Sequence, residues 1–156
     1  MIRITRIRSW PWLVARCQQW QAFIIQKAQR ENVRWPTRLR NIVLDGLSIR
    51  EIGNLHELFA SASMMRNCLA SWDDDCVAGQ ARFFSVEQPG KKRPVALVGL
   101  VRKGEQWVVE DVRGFANAVV DESLHQIGQD IATRYQWLDS IHTKPRRQPA
   151  LRIAEL

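Results

Sequence analysis

A change of hydrophobic period at Gly79 constrains the fold of this chain more than any other feature. Before Gly79, apolar residues recur every three or four positions, the spacing of helices with one buried face. After it come three short runs rich in β-branched and aromatic residues: 81–87 with Phe83 and Phe84, 95–101, and 106–113 with Trp107, Val108 and Val109. Pro89-Gly90 followed by Lys91 to Arg93 makes the first turn, and Lys103-Gly104-Glu105 makes the second. Connections this short imply antiparallel neighbours. The spacing then returns to helical after Asp121, an N-cap candidate, with Leu124, Ile127, Ile131, Ala132 and Tyr135 on one face to about Leu138.

The helical part reads in three pieces. Ser9 caps a first helix and Pro11 takes an early helical position. Trp12, Leu13, Cys17, Trp20, Phe23, Ile24 and Ala28 form its buried stripe, with Trp20 in the core. Pro36 interrupts, and Thr37 caps a short second helix carrying Leu39, Ile42 and Val43, which Gly46 ends. A third helical region spans 48–72. Ser48 and Glu51 give it a capping pattern, and Ser61 and Ser63 mark an internal break. Met64, Met65, Cys68, Leu69 and Trp72 form a second stripe, and Asp73 to Asp75 a solvated exit.

The expected fold is α+β: N-terminal helices packed on one face of a three-stranded antiparallel β-meander, followed by a C-terminal helix. Phe83 and Trp107 should face the helical layer or its rim. Residues 1–142 form a single domain, with a helical basic N-terminal region at 1–47 and a core at 48–138; residues 143–156 form a flexible basic tail. The chain has 156 residues and a hydrophobic fraction of 46%, enough for one core.

Charge is distributed unevenly. Residues 1–50 hold ten Lys/Arg against Glu31 and Asp45, a net of +8; residues 51–143 carry −4, and 144–156 carry +3. Basic ends suit phosphate backbones or an acidic protein face. Arg3, Arg6, Arg8 and Arg16 stand beside Trp10 and Trp12 with no acid before Glu31. Aromatic groups among cations stack on unpaired bases or anchor a partner protein. At least one of Trp10 and Trp12 is assigned to a contact surface. Cys17, Cys68 and Cys76 are an odd number, against a closed disulfide framework. Their spacing with the histidines is not that of a zinc site. The triple aspartate lacks the alternating ligands and later Glu of a calcium loop. No metal and no cofactor is expected. No apolar run approaches the roughly 20 residues of a spanning helix, so no membrane partner and a cytoplasmic location are expected.

The ordered set Met64-Met65-Arg66-Asn67-Cys68-Leu69-Ala70-Ser71-Trp72, Cys76, Gly79, Ala81-Arg82-Phe83-Phe84-Ser85-Val86 and Val112-Arg113-Gly114-Phe115-Ala116-Asn117 resembles the PcfJ-like family of conjugative plasmids and other mobile elements. The resemblance covers roughly residues 48–138. The chain departs from that pattern at Asn67, where members often have His, and at Trp72, where they often have Tyr. It departs again at Asp111, often Gln, and at Ala96 to Gly99, where a Thr and an acid are common. The resemblance implies a mobile-element setting without implying a reaction.

Three sites follow. Cys68 reads as a buried helical packing residue beside Met65 and Leu69; its alternative is a nucleophile, which needs a lowered pKa. Arg113 offers a forked contact to phosphate or pairs locally with Asp111, and Asn117 reads a base edge or satisfies its own loop. Gly114 between them serves positive φ or close backbone approach. The leading expectation is a non-enzymatic accessory protein of a mobile-element or phage-related system. It binds nucleic acid or a nucleoprotein complex through Arg3, Arg6, Arg8, Trp10, Trp12 and Arg16, with Arg113 and Asn117. The alternatives are a cysteine-dependent enzyme with a cleft around Cys68, Arg113 and Asn117, and a protein-interaction subunit anchored by the Trp/Arg-rich N-terminal helix.

Overall fold

The computed structural model describes residues 10–143. They form an α+β fold built on a five-stranded antiparallel sheet in the order β1-β2-β3-β4-β5. Helix α1 (Trp10–Glu31) leads into β1 (Asn41–Leu44) and β2 (Leu47–Glu51). Helix α2 (Leu55–Met65), a 3-10 turn at Leu69–Trp72 and α3 (Asp73–Val77) then connect to β3 (Ala81–Glu87). Strands β4 (Ala96–Lys103) and β5 (Gln106–Arg113), a 3-10 turn at Phe115–Asn117 and α4 (Glu122–Thr143) complete the described chain.

The three expected strands are present, and two more precede them. The helix expected after Thr37 is instead a hairpin, with Leu44 opposite Leu47 and Asp45-Gly46 as its two-residue turn. Both turn residues have positive φ, 50° and 77°. Asp-Gly in that conformation matches the twist of paired strands, and it outweighs the three-and-four spacing of Leu39, Ile42 and Val43. The N-terminal region 1–47 is therefore not wholly helical, and its expected boundary falls where β2 begins. Ser48 lies inside β2 and caps nothing. The working cap stands six residues later: Asn54 Oδ1 accepts from the Glu57 N–H at 2.8 Å, and Glu57 Oε2 accepts from the Gly53 N–H at 3.1 Å. Helix α2 runs through Ser61 and Ser63 and ends at Arg66, whose φ of 49° closes it with hydrogen bonds to the Ala62 and Ser63 carbonyls.

Helices cover opposite faces of the sheet, a correction to the single helical layer expected. Neighbouring residues along a strand point to opposite faces. Phe83 and Leu97 pack with Leu58, Phe59, Ala62 and Met65 of α2, whereas Phe84 and Val98 pack with Ile127, Ile131 and Tyr135 of α4. Trp107 and Phe83 are both buried, on different faces. Trp107 meets Tyr135 edge-on at 5.1 Å, and its indole N–H donates to Asp139.

Of the stripe read on α1, the described residues do not form one buried face. Ile24 and Ile25 pack against the α2 core, but Cys17 is exposed, and Trp20 and Phe23 remain 46% and 63% exposed. Helix α1 touches α2, and at Cys17 and Trp20 helical spacing signals amphipathicity without cover from the described residues. The triple aspartate is the start of α3 and not the exit of a helix. Carboxylates in a first turn suit the positive end of the helix dipole. Residues 144–156, read as the basic tail, lie outside the described residues.

A buried polar tie holds the segment before β1 to the sheet. Glu51 Oε2 accepts from the Arg38 and Leu39 backbone N–H groups at 2.7 and 2.8 Å, and Arg82 Nε lies 4.0 Å from Glu51 Oε1. Arg82 also donates to the Cys76 and Ala81 carbonyls. Burial raises the Glu51 carboxyl pKa, opposed by those backbone donors and by Arg82.

Candidate functional site

Three separated stretches converge on the α2 face of β4 and β5. The closing turn of α2 carries Asn67, Cys68 and Leu69 to one side of a cleft of about 190 Å³. Trp72, Phe83, Leu97 and Gly99 form its apolar surface, and Glu110, Asp111, Arg113 and Asn117 its polar side. Trp72 and Phe83 meet edge-on at 5.8 Å. Gly99 admits the Phe83 ring, since a Cβ at that position would lie 2.7 Å from Phe83 Cε1.

A bulge in β5 sets the polar side. Gly99 pairs with Asp111 and Leu100 with Val109, leaving Glu110 as the extra residue. A bulge re-aims side chains, and here two consecutive acids line one cleft. They differ in commitment. Both oxygens of Asp111 accept from Arg113 Nε, at 2.8 and 2.9 Å. Glu110 is exposed and has no polar partner among the described residues. Asn67 is only 9% exposed, and its Oδ1 accepts from the Leu69 N–H at 3.1 Å.

Cys68 is exposed and outside any helix, which corrects its reading as a buried packing residue. The tight closure at Arg66 ejects it from the α2 stripe. Cys76 is the buried thiol, and burial pushes it up to about 12. The described residues lining the cleft include no histidine. Gly114 is extended, with φ −84°; the left-handed residues are Ala116 and Asn117, at 53° and 60°. A left-handed non-glycine residue costs on the order of 1–3 kcal/mol and is often found at functional sites.

Beside the cleft, the same two loops and the β3–β4 turn build a basic corner. Arg66 immediately precedes the cleft residues Asn67 and Cys68, and Phe115 lies two residues before Asn117. The Arg93 guanidinium sits 4.0 Å from the Phe115 ring centre and that of Arg66 5.6 Å from it. Lys91 and Lys92 stand next to Arg93 in the exposed β3–β4 turn, and Phe115 is itself 37% exposed. None of these four cations pairs with a carboxylate among the described residues. Other described arginines do: Arg38 with Asp139, Arg50 with Glu57 and Glu87, Arg82 with Glu51 and Arg113 with Asp111.

Cys68, Arg113 and Asn117 are thus brought together, and Arg113 takes the local pairing with Asp111. Arg16 lies on α1 beside Cys17, Trp20 and Phe23. Arg3, Arg6 and Arg8 lie outside the described residues. Trp10 and Trp12 stand in the first turn of α1, with their side chains outside the described set. Sequence reasoning missed the basic corner and Glu110. Three consecutive cations in one turn of a segment with net charge −4 were the available signal for the corner.

No protein-family model, no curated protein and no solved structure matches the chain. The PcfJ-like resemblance of residues 48–138 therefore rests on the motif residues themselves. Its three pieces supply Asn67, Cys68, Leu69, Trp72, Phe83, Arg113 and Asn117 to the one cleft. Among the described residues no helix is long and apolar enough to cross a membrane, and no group of three or more His, Cys, Asp or Glu could hold a metal ion.

Proposed function

We propose that this domain binds nucleic acid, as an accessory protein of a mobile-element or phage-related system. The observation that carries the reading is the set of four cations, Arg66, Lys91, Lys92 and Arg93, gathered around Phe115 with no carboxylate partner among the described residues. A guanidinium resting on an aromatic ring keeps its N–H edges for phosphate oxygens, and the ring limits the orientations it must give up on binding. Phosphate contacts of this kind supply affinity and position without reading sequence. The N-terminal arginines Arg3, Arg6, Arg8 and Arg16, with Trp10 and Trp12, extend the same chemistry along the chain.

The test is a salt titration of oligonucleotide binding. For single strands each phosphate contact contributes about 0.7 to the slope of log K against log salt. Replacing Lys91, Lys92 and Arg93 with Ala should weaken binding and flatten the slope by about two units. A parallel variant with Arg3, Arg6 and Arg8 replaced by Ala weighs the N-terminal arm against the corner. Loss confined to the arm variant would move the interface to the arm. No binding by the wild type at low salt would end the nucleic-acid reading.

A second reading, a cysteine-dependent enzyme, is favoured by the exposure of Cys68 in a cleft shared with Arg113 and Asn117. It requires a base near Cys68, and the lining offers carboxylates only. A third, a protein-interaction subunit, draws on the exposed Trp20 and Phe23 of α1.

A further inference from the structure

We infer that Arg66 and Arg93 form a single phosphate seat, and that Phe115 is its positioning residue, acting through the two arginines without touching the ligand. The inference rests on the nucleic-acid reading and deepens it. The four cations of the corner divide into two arginines that grip one phosphate group and two lysines that add charge around it.

The two arginines come from different loops and meet over one ring. Arg66 closes α2, and Arg93 stands in the β3–β4 turn. Their guanidinium carbons lie 5.6 and 4.0 Å from the centre of the Phe115 ring. Both arginines and the ring line one open hollow with Ser63 and Met64, and no acid stands in that lining. Two guanidiniums brought to one place repel each other. Attraction to the face of the ring offsets part of that repulsion, and an anion between them reverses it. A phosphate group fits the pair, because each guanidinium presents parallel N–H bonds to its oxygens and the oxygens suffice for two such forks.

The backbone holds these residues in place. Among the described residues five non-glycine positions have positive φ, and three of them are here: Arg66 at 49°, Ala116 at 53° and Asn117 at 60°. Such conformations cost stability and gather at ligand clamps. The turn after β5 is closed by the Gly114 N–H on the Ala118 carbonyl at 2.9 Å and the Ala118 N–H on the Phe115 carbonyl at 3.0 Å. It presents a ring that belongs to neither core cluster and is 37% exposed, so core packing does not account for the placement of Phe115. Pro94 restricts Arg93 to extended backbone. The Val95 N–H donates to the Val86 carbonyl at 2.8 Å, which fixes the base from which Arg93 reaches the ring. Lys91 and Lys92 lie nearer the Pro89-Gly90 turn and make no ring contact among the described residues.

The test is a fluorescence-anisotropy titration of the full chain with a labelled single-stranded oligonucleotide over a range of salt. It is paired with an NMR titration of the arginine Nε–H groups with inorganic phosphate. A cation on an exposed ring is worth a factor of about two to five. Phe115→Leu should therefore weaken oligonucleotide binding by about two- to five-fold with the salt slope unchanged, because no charge is lost. Phe115→Tyr keeps a ring and should bind as the wild type does. Arg66→Lys and Arg93→Lys keep the charge and lose the fork. Their double variant should lose less than the two single losses combined, because both arginines serve one phosphate. Inorganic phosphate should move the Arg66 and Arg93 signals together, with one dissociation constant. Wild-type affinity in Phe115→Leu overturns the positioning role, and a flattened slope in that variant does the same. Lysine losses that combine in full overturn the shared seat and leave the nucleic-acid reading standing. Joint phosphate shifts in a chain that binds no oligonucleotide keep the seat and overturn the reading beneath it. No response to either probe overturns both.

Discussion

The two faces of the sheet are built from the same strands and do different things. On the α4 face, Phe84, Val86, Val98, Leu100 and Val112 are buried under Ile127, Ile131 and Tyr135. Gly128 brings α4 so close that a Cβ there would lie 2.9 Å from Val112 Cγ2. On the α2 face, cover is complete over β3 but stops short of β5. There Glu110, Asp111 and Arg113 line an open cleft. One residue separates the two regimes: Val112 is sealed while Asp111 and Arg113 on either side of it are not. A two-sided sheet can thus devote one face to stability and leave part of the other for binding. Substitutions on the two faces should separate in the same way.

The largest expected effect is on the sealed face. Trp107→Ala removes a buried ring that packs on Tyr135 and donates to Asp139, and should cost ~3–5 kcal/mol, read by chemical denaturation. An unchanged midpoint would mean that this face is not the core. Gly128→Ala forces a methyl group against Val112 and should cost ~1–3 kcal/mol in the same assay, since close-packed interiors resist overpacking. On the open face Arg113→Ala breaks an exposed pair with Asp111, and stability should change by less than ~1 kcal/mol. A loss as large as that of Trp107→Ala would place Arg113 in the core and erase the contrast between faces. The smallest perturbation is thiol labelling in a Cys17→Ser background. Cys68 should be alkylated in the native protein, and Cys76, buried with its pKa near 12, only after unfolding. Equal native labelling of both would contradict the closure of the layer around Cys76.

Much of this was legible in sequence where spacing and punctuation agreed. The strands 81–87 and 106–113 combined the right period with clear turns and stand as read, and the helix after Asp121 starts as read but runs past Leu138 to Thr143. Where period and punctuation disagreed, punctuation was the better guide. Asp45-Gly46 specified a hairpin while Leu39, Ile42 and Val43 suggested a helix. Asn54 and Glu57 formed the cap that Ser48 and Glu51 only resembled. Periodicity in α1 identified an amphipathic helix but could not report how far its partner extends, so Trp20 was misplaced. The cleft was half visible. Cys68, Arg113 and Asn117 stood in motifs that pointed to a shared site, whereas Glu110 enters through a bulge that no pattern of alternation reveals. The basic corner depends on Phe115 meeting arginines 49 and 22 residues away in the chain, a contact fixed only by the folded loops.

The central claim is that the open face, and not the sealed one, meets nucleic acid. An amide NMR titration of the labelled protein with a short single-stranded oligonucleotide tests it residue by residue. The account predicts that the largest shifts fall at 66–69, 91–93 and 110–117 and fade when salt is raised. Ile127, Ile131 and Tyr135 on the opposite face should stay unmoved. Shifts concentrated on α4, or a spectrum unchanged at saturating oligonucleotide and low salt, would contradict it.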